Sequence, residues 1–408
     1  RTRGISSSFS YSSGLLGTDQ RTGMDGIYCS FGCYGFEMER RSTTIGLTKG
    51  KSMLEAERNK KIQEFLRENQ GIPFLLADLA NIFYLSGFTG SSGFLMVFPD
   101  RQPIFLCDGR YTTQAKKELM IEADIIEFES DVNQKIADIL KSSGYSSMYF
   151  ETSIHYQCYL SLKEKDLELI AVPKWVEEMR MIKSPEEIAL IEKALHLSEK
   201  AWEAVEFMVR PGISERAFAL ELDYCMIKSG GESVAFPTIA ASGERSALPH
   251  AQPTSELMES GSWLVVDWGV RYKRYCGDIT RTIPIGSDRN TWFKESIQIV
   301  QEAQQRAQEK IHEGVRASDV ERVVRDFLKQ NYIEQLFTHS LGHGVGIQVH
   351  ESPRLSSTSE TILQEGMVIT VEPGIYLPGK GGIRLENMVV VEKNGCRVLN
   401  SLPVILRT

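Results

Sequence analysis

Four carboxylates and one histidine stand where ordinary packing has no use for charge. Asp267 ends the apolar run LVVD, Asp278 opens DITRTIPIG eleven residues later, Glu372 ends VITVE, and Glu386 interrupts IRLENMVVV. A carboxylate among buried aliphatic side chains carries a large desolvation penalty unless its charge is compensated. Any one of the four reads most simply as a salt-bridge partner or an edge residue. Four on neighbouring strands would repel one another, and divalent cations are the simplest compensation. His343 lies between the two pairs and supplies a neutral nitrogen donor. One Asp, one His and three shared carboxylates suit two cations about 3.5 to 4 Å apart, an arrangement that activates a bridging water. The oxygen-rich donor set points to Mn2+ or Co2+ ahead of Zn2+, although zinc can occupy such a site opportunistically.

His343 belongs to HSLGHGVGIQVHESP, residues 339–353, in which three histidines, three glycines and a glutamate fall within fifteen positions. Gly342, Gly344 and Gly346 let the backbone turn tightly and come close to whatever the histidines face. GHGVG is not a dinucleotide-binding loop, since no clear strand precedes it and no helix follows. Arg384 stands two residues before Glu386, hence on the same strand face, and reads as an ion-pair partner of the carboxylates.

These side chains must be carried by a scaffold, and its elements are legible in the periodicity. LEAERNKKIQEFLRE reads as an amphipathic helix, FLLA and FLMVF as buried strands, and NQKIADILKSSG as a helix closed by glycine. Ser184, Pro185 and Glu187 form a helix start with a capping box. Ile188, Ile191, Leu195, Trp202 and Val205 continue that helix along one face, towards a stop at Pro211-Gly212. Residues 214–229 and 290–313 read as further helices ended by glycines. SWLVVDWGV and DITRTIPIG read as strands joined by the turn RYKRYCG, and VITVEPG and GGIRLENMVVVE as a strand pair around IYLPGKGG. Two rounds of helices plus strand pairs suit a pseudo-symmetric α+β domain. The division expected is an amino-terminal α/β domain over residues 53–175 and a catalytic α+β domain over 176–408.

Composition narrows the function classes. With 408 residues, 42% hydrophobic and 25% charged, the chain suits two soluble domains. A formal charge of -8 with no concentrated basic face excludes a nucleic-acid footprint, and no apolar run approaches the roughly 20 residues of a membrane span. Seven scattered cysteines without a CxxC pair point to reduced thiols and a cytoplasmic setting. Residues 1–52 differ: Ser, Thr and Gly supply 24 of them, and seven Arg or Lys stand against four Asp or Glu. This stretch has the composition of a disordered tail. It reads either as a leader ahead of a native start at Met53 or as an organellar targeting peptide.

Taken in order, VVDWGVRYKRYCGDITRT, HSLGHGVG, VHESP, VEPGIY and GIRLEN resemble the catalytic domain of the pita-bread metallopeptidases, in the aminopeptidase P and prolidase branch. YLSGFTGSSG and CDGRYTTQA are similar to the amino-terminal domain of that branch, so the resemblance runs from Met53 to Thr408. It implies that Asp267 binds one metal, His343 and Glu372 the other, and that Asp278 and Glu386 bridge both. It also implies that Glu372 moves a proton from the attacking water to the leaving amine. His250, His339 and His350 would line the cleft, hydrogen-bond the peptide and stabilise the tetrahedral intermediate. Arg384 would organise the cleft or meet the substrate's carboxyl end, with Tyr376 a weaker candidate for the same wall. The implied reaction is release of the residue preceding proline from proline-containing peptides by a homodimer. Cleavage of longer peptides (aminopeptidase P) is expected first and of dipeptides (prolidase) as the alternative. Some relatives of this fold are metal-free binding modules or creatinase-like hydrolases, but these would lack one or more of the five ligand positions, all present here.

Overall fold

The computed structural model describes residues 53–286 and 290–406, so the expected leader over 1–52 lies outside the described residues. Helix α1 (Met53–Glu68) buries Ile62 and Leu66, as its amphipathic pattern predicts. Helix α2 (Leu79–Ser86) starts at Asp78, whose carboxylate accepts from the amides of Ala80 and Asn81, and stops at Gly87 in the left-handed region. Strands β1 (Phe74–Leu76), β2 (Phe94–Val97), β3 (Ile104–Asp108), β4 (Asp124–Phe128), β5 (Ser147–Glu151) and β6 (Glu168–Val172) form one sheet, ordered β4-β3-β2-β1-β5-β6. Its β3-β4, β1-β5 and β5-β6 pairs are parallel, which requires crossovers. Helices α3 (Thr112–Glu118), α4 (Val132–Ser142) and α5 (Tyr156–Lys163) occupy the intervals between β3, β4, β5 and β6. Helix α6 (Trp175–Met181) follows the last strand.

Helix α7 (Pro185–Val205) opens with the predicted capping box: the Ser184 amide donates to Glu187 Oε2, and the Glu187 amide to Ser184 Oγ. It ends at Val205, short of Pro211, where a single turn of tighter helix follows. Helix α8 (Glu215–Lys228) packs beside it. Strands β7 (Ser233–Val234), β8 (Ile239–Ser242), β9 (Trp263–Trp268), β10 (Val270–Tyr272), β11 (Tyr275–Cys276) and β12 (Ile279–Pro284) come next. They form two sheets, β12-β9-β8 and β11-β10-β7. The RYKRYCG turn therefore contains a small hairpin of its own, with Lys273 and Arg274 at positive φ in its tip, as the tightest hairpin turns require.

Helix α9 (Thr291–Lys310) is followed by α10 (Ala317–Gln330), which the glycine-stopped reading of residues 290–313 did not include. Strands β13 (Gly342–Gly344), β14 (Glu351–Leu355), β15 (Val368–Val371), β18 (Asn387–Glu392) and β19 (Gly395–Val398) form a sheet ordered β14-β13-β15-β18-β19. Strands β16 (Gly374–Leu377) and β17 (Gly381–Arg384) form a separate hairpin, so IYLPGKGG is a strand turn within the β15-β18 connection. One apolar core runs from the first sheet through α7, α8, β9 and β12. A second lies between α9, α10 and the sheet from β13 to β19. This is an α+β arrangement of two rounds of helix pair plus strands, preceded by an α/β sheet unit. Among the described residues no helix is long and apolar enough to cross a membrane, and the five described cysteines are free.

Candidate metal centre and cleft

Strand alternation assembles the site. Asp278, Thr280 and Thr282 occupy one face of β12 and its lead-in, Thr370 and Glu372 one face of β15 and its exit, and Arg384 and Glu386 one face of the β17-β18 segment. Register then aligns them. Thr280 pairs with Asp267 across β12-β9, and Val371 with Asn387 across β15-β18, so Glu372 and Glu386 flank the end of the same ladder. The Glu386 amide donates to the Thr280 carbonyl at 3.1 Å, joining the two halves. Arg281, fully buried, donates to the Glu386 carbonyl and to the Leu402 and Pro403 carbonyls of the carboxyl-terminal segment.

One ligand atom from each of Asp278, His343 and Glu386 lies within 4.8 Å of the others. His343 Nε2 is 3.4 Å from Glu372 Oε1 and 3.7 Å from Asp278 Oδ2. Asp278 and Glu386 are only 4% and 2% exposed, so water does little to relieve their charge. Burial first, then the neighbouring carboxylates, pushes the acids of Asp278 and Glu386 well above the usual range; burial likewise raises Glu372 to about 8, against the pull of Arg384. Asp267 Oδ1 is buried with no hydrogen-bond partner among the described residues. His343 Nδ1 faces the Gly344 carbonyl at 3.1 Å, which makes it the donor and leaves the Nε2 lone pair towards the carboxylates. Its ring is held neutral, at about 4, chiefly by burial. An orphaned carboxylate oxygen, mutually repelling acids and a pre-oriented neutral imidazole together fit divalent cations.

Thr280 Oγ1 on β12 donates to Glu386 Oε2 at 2.7 Å, and Thr370 Oγ1 to Glu372 Oε1 on the same strand face at 3.3 Å, so each glutamate is aimed by a hydroxyl. Gly342 and Gly344 have no room for a Cβ: it would collide with the Thr370 carbonyl at the first and the Ser352 carbonyl at the second. Close strand approach, and not an unusual backbone angle, is why glycines flank His343.

A polar wall stands beside this cluster. Arg384 Nη2 donates to Asp267 Oδ2 at 2.6 Å, and Nη1 to Tyr376 Oη at 2.9 Å and to the Pro249 carbonyl at 3.0 Å. Tyr376 Oη lies 3.0 Å from His339 Nε2, while His339 Nδ1 is 2.8 Å from the Ser340 carbonyl. With Nδ1 as donor, the tyrosine hydroxyl donates to Nε2, giving a chain Arg384 to Tyr376 to His339. Burial lowers the His339 imidazolium to about 4, with Arg384 adding to the effect. His350 stacks edge-on against His343 with ring centroids 4.4 Å apart. His250 is exposed on the 248–251 loop, close enough that its charge would be felt at both His339 and His350. That loop is stapled by Glu215, fully buried at the start of α8. Glu215 accepts from the Ser242 and Thr254 amides and hydroxyls and from Arg245.

Residues 189–393 match metallopeptidase family M24, and residues 58–182 match the creatinase/prolidase N-terminal domain. The chain belongs to metallopeptidase family M24. It is 40% identical over 332 residues to an uncharacterized peptidase of Bacillus subtilis strain 168, a match covering 81% of this chain and 93% of that relative. Among solved structures it resembles an Xaa-Pro dipeptidase from Bacillus anthracis, with 35% identity, TM-score 0.82, and 86% and 100% of the two chains covered. It also resembles an X-Pro aminopeptidase from Thermotoga maritima MSB8, with 36% identity, TM-score 0.77, and 85% and 100% covered. M24 enzymes are peptidases that depend on two metal ions, which the convergent donors of this chain fit. Of the sequence-predicted residues, Asp278, His343 and Glu386 come within ligand reach of one another, Glu372 and His350 contact His343, and Arg384 links Asp267 through Tyr376 to His339, while His250 is exposed on its own loop.

Four contributors escaped the sequence reading. Thr280 and Thr370 could have been found by the period of two, since each lies two residues from a predicted carboxylate. Arg281 and Arg354 carried only weak signals, each three or four residues from a singled-out side chain. Arg354 pairs with His343 across β13-β14 and donates to Ser340 Oγ at 3.1 Å, and its charge reaches His343, His350 and Glu372.

Proposed function

We propose that this M24 peptidase releases the amino-terminal residue from peptides with proline in the second position. The observation that supports the reading is Asp278, His343 and Glu386 within ligand reach of one another, with Glu372 3.4 Å from His343 and Asp267 held beside them by Arg384, in a chain whose relatives include Xaa-Pro dipeptidases and an X-Pro aminopeptidase. Asp267 would hold one metal, His343 and Glu372 the other, and Asp278 and Glu386 would be shared between them. Cations bound there would supply an acidified water and polarisation of the scissile carbonyl. Glu372 takes the water's proton and returns it to the leaving nitrogen. His250, His339 and His350 hydrogen-bond the peptide at the mouth of the cleft, and Arg384 with Tyr376 keeps Asp267 and His339 in place. Proline at the second position has an imide nitrogen without a hydrogen and a fixed φ, so its release depends on protonation at that nitrogen.

The finer assignments follow from composition. The oxygen-rich donors favour Mn2+, with Co2+ or Zn2+ as substitutes. The free thiols suit a cytoplasmic setting, and the resemblance to the aminopeptidase P and prolidase branch implies a homodimer. The division into an amino-terminal domain over 53–175 and a catalytic domain over 176–408 accompanies this reading. A second reading, cleavage of Xaa-Pro dipeptides, is favoured by Arg354. It is an exposed cation on the cleft side of His343, suited to a free carboxylate one residue beyond the scissile bond. The deciding experiment strips the protein with chelator, reloads it with Mn2+, and offers an Xaa-Pro dipeptide and an Xaa-Pro-Xaa tripeptide. Tripeptide cleavage supports the aminopeptidase reading, dipeptide cleavage alone the dipeptidase reading, and failure with both under several divalent metals would overturn the proposal.

A further inference from the structure

The three cleft histidines are not held alike. His339 locks Nδ1 to a neighbouring carbonyl and has Tyr376 at Nε2, and His250 sits on the Glu215-stapled loop. The imidazole of His350 has no hydrogen bond among the described residues and packs edge-on against His343. Its place must therefore be set by the backbone on either side. The next residue, Glu351, is anchored by two buried cations and a backbone amide. Glu351 Oε1 lies 2.5 Å from Arg180 Nη2, Oε2 lies 3.2 Å from Lys183 Nζ, and the Gln348 amide donates to Oε1 at 3.1 Å. The three charged side chains are 6%, 3% and 1% exposed respectively. Arg180 Nη2 also donates to the Gln348 side chain at 2.9 Å.

Arg180 does not belong to the cleft half of the molecule. It lies on α6, directly after the first sheet, and its Nη1 donates to Asn81 Oδ1 on α2 at 2.7 Å. Asn81, fully buried, donates in turn to Glu151 Oε1 on β5 at 2.6 Å and to Glu177 Oε1 at 3.0 Å. Glu151 Oε2 closes the run on the Ala77 and Asp78 amides, at 2.7 and 2.8 Å, beside the start of α2. A continuous buried chain of charge-assisted hydrogen bonds thus joins the central strands of the first sheet to the residue following His350.

We propose that Glu351, Arg180 and Asn81 are positioning residues: a clamp through which the amino-terminal sheet unit sets the orientation of His350 over the metal centre. The inference deepens the peptidase reading and rests on it only for its kinetic test. Buried networks of this kind have discrete arrangements, so loosening one end moves the other. A small misplacement at a reacting centre costs far more in rate than in binding.

The test is a double-mutant cycle on the full-length, Mn2+-loaded protein with an Xaa-Pro peptide. Glu351→Gln and Asn81→Ala should each lower kcat about tenfold, with KM and bound metal close to wild type. In the His350→Ala background neither should lower kcat further. Equal losses in both backgrounds would overturn the clamp. Asn81→Ala leaves the Arg180-Glu351 pair intact and carries the cycle alone if Glu351→Gln does not fold. A substrate-independent readout, taken on the diamagnetic Zn2+-loaded protein, keeps the clamp separable from the peptidase reading: the His350 Cε1–H resonance, assigned by its loss in His350→Ala. It should move in both variants while that of exposed His312 stays put, and a stationary His350 resonance would sink the inference whatever the peptide result.

Discussion

Arg384 Nη2 lies 2.6 Å from Asp267 Oδ2, and this contact ties the β16-β17 hairpin to the β12-β9-β8 sheet at the wall of the cleft. Burial alone would favour a neutral guanidine, yet Tyr376, Asp267 and Glu372 hold Arg384 charged well above its ordinary range. Arg384 is the cation in hydrogen-bond contact with a cluster carboxylate, while Arg354 acts on Glu372 at longer range.

Removing that cation should be costly. Arg384→Met is expected to lower the stability of chelator-treated protein by about 3 kcal/mol, because it leaves Asp267 buried and unpaired. Arg384→Lys should recover part of the stability but not the rate, since an ammonium cannot reach Asp267, Tyr376 and the Pro249 carbonyl together. Calorimetric unfolding alongside peptide turnover separates the two effects; full activity in the lysine variant would contradict a role for the guanidinium fork.

Metal-free protein should be more stable at pH 6.5 than at pH 8. Glu372 rises from 4.5 to about 8 on folding, and Asp278 and Glu386 rise as well. A carboxyl raised on folding binds protons more tightly in the native state, so stability is lost as pH climbs from the unfolded value through the folded one. His339 and His343, lowered to about 4, act in the opposite sense only between about 4 and 6.5, outside this window. Glu386→Gln should flatten the dependence and abolish metal binding and turnover together. Melting curves with and without chelator check both halves, and a flat profile in the metal-free wild type would contradict the mutual repulsion of the cluster.

His339→Ala should reduce kcat roughly a hundredfold while bound metal, measured by atomic absorption, remains close to wild type. Tyr376→Phe should act in the same direction more weakly, because it removes the hydroxyl that meets Nε2 but leaves the Ser340 carbonyl in place. Loss of metal in His339→Ala would place that histidine among the ligands.

Arg354→Met should raise KM for an Xaa-Pro dipeptide at least about tenfold, with little change for a tripeptide whose carboxylate lies one residue farther out. Equal effects on both substrates would mean that Arg354 acts through the histidines and not on a terminal carboxylate.

Much of this was decided by residue type and local spacing. The capping box at Ser184, the carboxylates at the ends of LVVD and VITVE, and the helix and strand periods depend on contacts within a few residues, which a sequence displays directly. For the same reason α10 was legible in principle: Val320, Val324, Phe327 and Leu328 recur at helical spacing, although Gly314 drew the boundary too early. Short α2 was harder, since eight mostly apolar residues do not distinguish a helix from a strand. Tertiary structure alone decided the pairings. That Thr280 stands opposite Asp267, that IYL folds back on GGIR and not on VITV, and that Arg180 on α6 meets Glu351 on β14 all depend on contacts across long stretches of chain. Such contacts arise from how strands align and cores pack, and a residue's own neighbours in sequence carry no record of them. Charge and period told which side chains needed a partner; only the packed fold supplied the partner, and with it the cleft.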